Sequence, residues 1–332
     1  MKIAVLGAGS LGSALGGLLA EDGNDVTLVN RNSNFCAVVN SNGLTLNDGG
    51  AAGTPRVVRV QAIQDMASQP VLSNAKNISF DLIIVLVKSK DTEAVMRSAL
   101  PWVDEQTLVM SLQNGLGHED IIANIVGKHR VLAGKTYCGG LMTAPGIVTI
   151  GIKNKETIIG ELDGQITARV TAIGKVFNDA GLLTTVSDNI MGAMWDKILV
   201  NVATGAITGI TRLVYGLMYQ MPELEATACA AVLEAMTVAK AKGIALSINE
   251  PKAAWDKAGR GLPFEFKASI LQTLEKNSVT EIDYINGAVV QVGKLLGIPT
   301  PVNETLVSLI KGIEFGMIHN LKNNDERRSD ER

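Results

Sequence analysis

Apolar and polar positions along this chain change period near its middle. In the first half, short unbroken apolar runs alternate with stretches of helical period. Residues 2–6, KIAVL, form one such run bounded by glycine, as a buried parallel strand requires. GAGSLG follows at 7–12, then the helical stretch SALGGLLAEDG, then a second apolar run, VTLVN, over Val26–Asn30. DLIIVLV at Asp81–Val87 and TLVMSL at Thr107–Leu112 predict two more strands, with a helix over 91–100 between them. Val131–Ala133 and the stretch 148–160 predict further strands, with turns at Pro145-Gly146 and Lys153-Asn154, and these are expected to complete the same sheet.

From about Gly164 the pattern shifts. After an expected strand at Leu182–Val186, helical periodicity dominates, with helices predicted over 188–210, 223–242, 265–276, 280–297 and 303–318. Asp188 and Asn303 suit N-caps. Gly243 and Gly297 mark C-terminal stops, with Pro299 and Pro301 just beyond the second. A length of 332 residues fits two domains at roughly 150 residues each. The pattern describes an α/β chain: an N-terminal Rossmann-type doubly wound sheet over 1–175, then an all-helical C-terminal domain over 176–322. The last residues, 323–332, NNDERRSDER, are expected to be a frayed or disordered charged tail.

Composition narrows the partners. Hydrophobic residues make up 46% and the formal net charge is −3, with no dense Lys/Arg patch, so neither nucleic acid nor an anionic membrane is expected as a partner. Cys36, Cys138 and Cys229 are far apart and form no CxxC pair, which predicts reduced thiols in a cytoplasmic protein. His118, His129 and His319 lack ligand spacing, so no metal site is expected. No basic segment precedes a cleavable apolar one, and no signal peptide is expected. The least polar long stretch, Ile198–Met218, contains Asn201, Arg212 and several glycines, which suits a buried helix or helix pair better than a membrane span.

The candidate chemistry begins at the glycines. A GxGxxG between a strand and a helix, inside a unit of about thirty residues, is the dinucleotide-binding pattern. Gly7 permits the tight turn, Gly9 lets backbone approach a pyrophosphate, and Gly12 lets helix and strand pack closely. Ala8, Ser10 and Leu11 complete the loop, whose N–H groups at a positive helix end hold phosphate. Where an NAD enzyme places an acid for the ribose 2′-hydroxyl, this chain has Asn30-Arg31. Arg31 suits a 2′-phosphate, which favours NADP(H), unless it is only a solvated surface residue. Lys88 and Asn114 each follow a strand, at the edge where such sheets bind ligands; a solvated loop lysine and a turn asparagine are the bland alternatives.

In the second half, WDKILVN places Lys197 and Asn201 four residues apart, on one helix face. That lysine is either snorkelling at a helix edge or held near a cleft for use. In SILQTLEKNSVTEIDYING, 269–287, Glu281 follows Thr280, and the pattern alone describes a capped helix with acidic first-turn residues.

Taken in order, GAGSLG, Lys88, LQNG at 112–115, Lys197 with Asn201, Ser269 and TEIDYING at 280–287 resemble the ketopantoate reductases, or 2-dehydropantoate 2-reductases, over almost the whole chain. The resemblance implies a Rossmann domain plus a helical domain of the 6-phosphogluconate-dehydrogenase-like type, with the active site in the cleft between them. It implies NADPH-dependent reduction of 2-dehydropantoate to pantoate, a step toward pantothenate and coenzyme A. By the same resemblance, Arg31 holds the 2′-phosphate, and Lys88 and the backbone around Cys138 line the cofactor. Asn114 sits between nicotinamide and substrate, Lys197 donates the proton, Asn201 and Ser269 bind substrate, and Glu281 contacts the cofactor and orders the site.

The chain departs from that pattern where Gly205 and Tyr215 replace asparagines and Thr273 replaces an aspartate. Gly205 is expected to enlarge the pocket and Tyr215 to make its wall more aromatic. A reductase of other branched or aromatic 2-oxo acids is therefore the alternative, and an NADP-binding sensor without turnover a third. The helical domain leaves a homodimer open.

Overall fold

The protein is described here by a computed structural model covering residues 1–48, 54–66, 79–151 and 155–330, with side chains described to residue 319. The turn expected at Lys153-Asn154 and the end of the tail at 331–332 lie outside the described residues. The chain forms two compact units, one of Met1–Gln113 with Gly117–Met191, the other of Asn114–Leu116 with Gly192–Arg332.

The strands of the first unit are β1 (Lys2–Leu6), β2 (Asp25–Val29), β3 (Leu44–Asn47), β4 (Arg56–Val58), β5 (Gln61–Ile63), β6 (Leu82–Val85), β7 (Leu108–Ser111), β8 (Val131–Thr136), β9 (Gly139–Ala144), β10 (Ile147–Gly151), β11 (Thr157–Glu161) and β12 (Thr184–Val186). Its helices are α1 (Ser10–Glu21), α2 (Ser33–Asn42), α3 (Thr92–Ala99), α4 (His118–Val126) and α5 (Ala168–Asp179). The large sheet runs β12-β11-β8-β7-β6-β1-β2-β5, parallel throughout except where β11 meets β8. Six of these strands, from β5 to β8, follow the doubly wound dinucleotide-binding order, whose connections reverse direction beside β1. Buried on both faces, β1 and β6 read as continuous apolar runs for that reason.

The expectation that 148–160 completes one sheet needs correction. β11 joins the large sheet, but β9 and β10 form a second sheet with β3 and β4, in the order β4-β3-β10-β9. The cause is α1, which is covered on two sides. A methyl on Gly16 would meet Leu28 and Val5 of the large sheet, and one on Gly17 would meet Leu46 and Leu44 of the small one. Two adjacent glycines thus let one helix sit between two sheets, and the one-sided burial of β10 is its packing against that helix.

The second unit is helical. It holds most of α6 (Ile190–Thr211), then α7 (Tyr215–Met218), α8 (Pro222–Ala241), α9 (Pro251–Gly259), α10 (Ser269–Glu275), α11 (Asn286–Leu296) and α12 (Pro301–Asp330). Proline in the first turn starts α8 and α9, where its missing N–H costs nothing. The apolar stretch Ile198–Met218 is a helix pair, the end of α6 followed by α7; α6 itself is one continuous helix. It is apolar enough by length and composition to cross a membrane, yet 72% of its most apolar window is buried inside the protein.

Three further expectations are revised. Asn303 does not cap a helix: α12 begins at Pro301, and Asn303 is fully buried inside its first turn. Its amide donates to the Ala231 carbonyl and to Glu234, and its Oδ1 accepts from Asn286. Glu234 of α8 does the capping from outside, accepting the Val302 and Asn303 N–H groups. Second, the helix expected over 280–297 is broken: a 3₁₀ turn at Ile282–Tyr284 precedes α11, and Thr280 Oγ1 accepts the Ile282 N–H. Third, α12 continues as helix through Asp330, into the stretch expected to fray; no glycine or proline follows Gly316 to stop it.

Candidate active site

The candidate residues lie at strand ends of the first unit and, separately, in the helical unit. At the end of β1, Gly7 has φ +100°, and a methyl there would meet the Val87 nitrogen at 2.5 Å, so only glycine lets the β1 turn lie against the chain leaving β6. A methyl on Gly12 would run into the Gly7 carbonyl. Gly9 differs, since nothing lies within 4 Å of a methyl built on it. Gly9 is also the N-cap of α1 and supplies no side-chain cap, so the first-turn N–H groups face that open ground. An open cradle of backbone donors fits a pyrophosphate.

At the end of β2, Asn30 is committed to the fold. Its Nδ2 donates to the Ala8 carbonyl at 2.6 Å and its Oδ1 accepts from the Asn32 N–H at 2.9 Å, so it fastens the β2 end to the glycine turn. Arg31 next to it is exposed and pairs with Asp91 at 3.2 Å. Lys88, exposed after β6, holds the Asp91 N–H with its carbonyl. Cys138, buried between β8 and β9, has its N–H on Thr136 Oγ1.

Beyond β7 the chain runs Gln113-Asn114-Gly115. Gln113 is buried, and its Nε2 donates to the Val87 carbonyl and to Thr92 Oγ1, locking the β7 end to the β6 end. Asn114 to Leu116 then belong to the helical unit. There the Lys197 ammonium donates to Asn114 Oδ1 at 2.8 Å, and the Leu116 N–H donates to the Tyr284 carbonyl at 2.9 Å. Two predicted participants, Lys197 and Asn114, are thereby brought together, and Leu116 ties the same loop to Tyr284 at the end of the 3₁₀ turn. The bond to Asn114 gives the Lys197 ammonium a specific partner.

Behind Lys197, Asp196 is buried and accepts the Ser247 and Ile248 N–H groups and the Ser247 hydroxyl. That fixes the rotation of α6 about its axis and so the side on which Lys197 emerges. Asn201 lies one turn further, half-buried on the same face. Ser269 is exposed at the first position of α10. Its neighbour Ile270 fills the ground beside Gly205, with Cδ1 3.1 Å from a methyl built there, so Gly205 opens no extra pocket and instead lets α10 sit close. Tyr215 is buried, edge-on to Phe266 at 4.9 Å and to Tyr219 at 5.7 Å, and its hydroxyl lies 2.9 Å from Thr204 Oγ1. Burial pushes the Tyr215 phenol up, partly offset by that bond.

Sequence reasoning missed Gln113, Asp91 and Asp196. Gln113 stood inside the LQNG motif, and Asp91 was legible as an acid three residues after Lys88. Asp196 carried no signal, because its partners are about fifty residues away.

The strand order and the glycine turn define a Rossmann fold of the dinucleotide-binding kind. The comparisons are specific: residues 3–164 match the family model described as ketopantoate reductase PanE/ApbA, and residues 189–314 match its C-terminal model. The chain belongs to the ketopantoate reductase family. It is 35% identical over 311 residues to the 2-dehydropantoate 2-reductase of Halobacterium salinarum, covering 94% of this chain and 98% of that one. It is 32% identical to the enzyme of that name from Archaeoglobus fulgidus, over 95% of this chain and 99% of the other. Among solved structures, a PanE/ApbA family ketopantoate reductase from Ralstonia eutropha JMP134 is similar with a TM-score of 0.83 and 30% identity, over 96% of this chain and all (100%) of that one. A D-mandelate dehydrogenase solved with NADH and anilino(oxo)acetate is similar with a TM-score of 0.84 and 26% identity, over 96% and 99%.

Proposed function

We propose that this chain reduces 2-dehydropantoate to pantoate with NADPH, in a cytoplasmic route to pantothenate. The observation that carries the reading is the Lys197 ammonium held 2.8 Å from Asn114 Oδ1, in a chain of this family. When bound, the nicotinamide supplies a hydride. The backbone of Gly7, Ala8, Gly9, Ser10, Leu11 and Gly12 would hold its pyrophosphate, Arg31 its 2′-phosphate, and Lys88, Cys138 and Glu281 further parts of it.

Reduction of a ketone builds negative charge on the carbonyl oxygen. Lys197 stabilises that charge with its ammonium and then delivers a proton from Nζ. Lysine suits the task as a compact charge whose pKa responds to its surroundings. Asn114 orients the amine through its side-chain carbonyl, which accepts one of the three N–H bonds. Asn201, a turn further along α6, and Ser269 supply polar contacts to the substrate, and Glu281 holds the site in order.

A second reading, reduction of branched or aromatic 2-oxo acids, is favoured by one observation. The Tyr215 hydroxyl lies on Thr204, two turns along α6 from Lys197, and its ring lies among Phe266 and Tyr219. An apolar aromatic cluster there suits a substrate side chain without a hydroxyl. The test for both is kcat/KM with NADPH and with NADH across ketopantoate, 2-oxoisovalerate and phenylpyruvate. Ketopantoate preferred by about a hundredfold or more supports the first reading, since a site built to bond a substrate hydroxyl discriminates at least on that scale. Preference for phenylpyruvate replaces the first reading with the second.

A further inference from the structure

Asp91 stands at the N-cap of α3, where an aspartate ordinarily turns its carboxylate onto the helix N–H groups. Here it makes no such bond. Its backbone is fixed by the N–H bond to the Lys88 carbonyl, and its Oδ2 reaches Nη2 of Arg31 at 3.2 Å. Asp91 follows β6 and Arg31 follows β2, the two strands that flank β1 in the sheet. The pair therefore bridges across the strand that carries the glycine turn. The Asp91 side chain is 22% exposed and that of Arg31 83%, so an exposed cation is held by a sheltered anion.

Asn30 occupies the position at the β2 end from which an acid usually accepts the ribose 2′-hydroxyl, but both ends of its amide are engaged within the fold. No acid follows Asn30 at the β2 end, so a carboxylate acceptor for that hydroxyl has to come from another strand end. We propose that Asp91 is a cofactor-selectivity residue, accepting the ribose 2′-hydroxyl of NADH, so that the site takes NADH as well as NADPH. The assignment rests on the dinucleotide reading above. Arg31 serves the 2′-phosphate, and Asp91 opposes it in two ways. It must share or release the guanidinium before the phosphate can bind it, and its own negative charge repels the phosphate. Toward NADH the same carboxylate is an asset, because its oxygens accept the hydroxyl's hydrogen bond.

The test is a calorimetric titration of wild type, Asp91→Asn, Asp91→Ala and Arg31→Ala with NADPH and with NADH, without substrate. Thermal melts establish that each variant is folded. Wild type is expected to bind both dinucleotides. Asp91→Asn keeps the shape and removes the charge; it should tighten NADPH and weaken NADH, raising the ratio of the two dissociation constants by about tenfold, the size of one charge-assisted contact. The gain toward NADPH should shrink as salt is raised, because the pair is exposed. Asp91→Ala should weaken NADH at least as much. Wild-type binding of NADPH with an Asp91→Asn ratio within twofold of wild type overturns the Asp91 assignment alone. So does an equal loss of both dinucleotides. Wild-type protein that binds neither dinucleotide overturns the assignment together with the reading beneath it.

Discussion

Lys197 and Asn114 are 83 residues apart in sequence and joined by a 2.8 Å hydrogen bond from Nζ to Oδ1. One sits on a buried core helix and the other on a loop leaving a parallel strand. The bond fixes the direction in which the ammonium leaves its helix. If Lys197 is the proton donor, Lys197→Ala should lower kcat by about a hundredfold to ten-thousandfold, the usual worth of a positioned acid. Asn114→Ala should lower it by roughly tenfold, and the double variant should be no slower than Lys197→Ala, since the two act as a unit. Steady-state kinetics on the four proteins checks this, and strictly additive losses would dissolve the partnership.

The glycine turn gives a prediction that separates folding from binding. Gly9→Ala has room for its methyl and should melt within a few degrees of wild type while losing NADPH affinity by tenfold or more on the order-of-magnitude scale of one blocked contact. Gly12→Ala drives its methyl into the Gly7 carbonyl and should be destabilised by about 2 kcal/mol or more. A Gly9→Ala protein with unchanged NADPH affinity would show that the turn does not hold the dinucleotide.

Two neighbouring groups in the first turn of α4 predict the pH dependence of stability. Burial pushes Glu119 up to about 7 and His118 down to about 4, against ordinary values of 4.5 and 6.5. The contribution of Glu119 is full below pH 4.5 and is lost as pH rises toward 7. That of His118 is full above pH 6.5 and is lost as pH falls toward 4. Across the window between, the two slopes oppose each other. Glu119→Gln should therefore uncover a stability that rises with pH through this window, by up to about 1.4 kcal/mol per unit, and should exceed wild type at pH near 8. Urea unfolding from pH 4 to 8 is the measurement. A flat profile for the variant would mean that the imidazole is not held neutral.

Asn303 predicts stability without chemistry. Asn303→Ala removes bonds to the Ala231 carbonyl, to Asn286 and to Glu234, all in the helical unit. Leaving those buried groups unmet should cost about 3 kcal/mol. Chemical denaturation should register the loss, while turnover per folded molecule stays within twofold of wild type. A larger loss of turnover would place this network in the site.

Much of this was legible in the chain, and the physical reasons differ by element. β1 and β6 were plain because a strand buried on both faces leaves an uninterrupted apolar run. The second sheet was not, because β3 and β4 are short, and nothing in the spacing of β9 and β10 says which sheet they join. Gly16 and Gly17 were read as helix interior, though they are what permits two-sided packing. Asn303 looked like a cap because asparagine before an apolar run usually is one; the true cap, Glu234, lies 69 residues earlier. Asn114 and Lys197 were each legible in its own motif, but their bond was not, since pairing across such a distance is written only in three dimensions.

The small sheet has a bearing on how this protein tolerates sequence drift. The Ser10 hydroxyl, in the opening turn of α1, accepts the Met142 N–H of β9, and a methyl on Gly140 would run into the Ser10 carbonyl. The N-terminal end of α1 is thus braced by a hairpin more than a hundred residues downstream. Changes in that hairpin should surface as altered dinucleotide affinity, and a survey confined to residues lining the ligand would misattribute them.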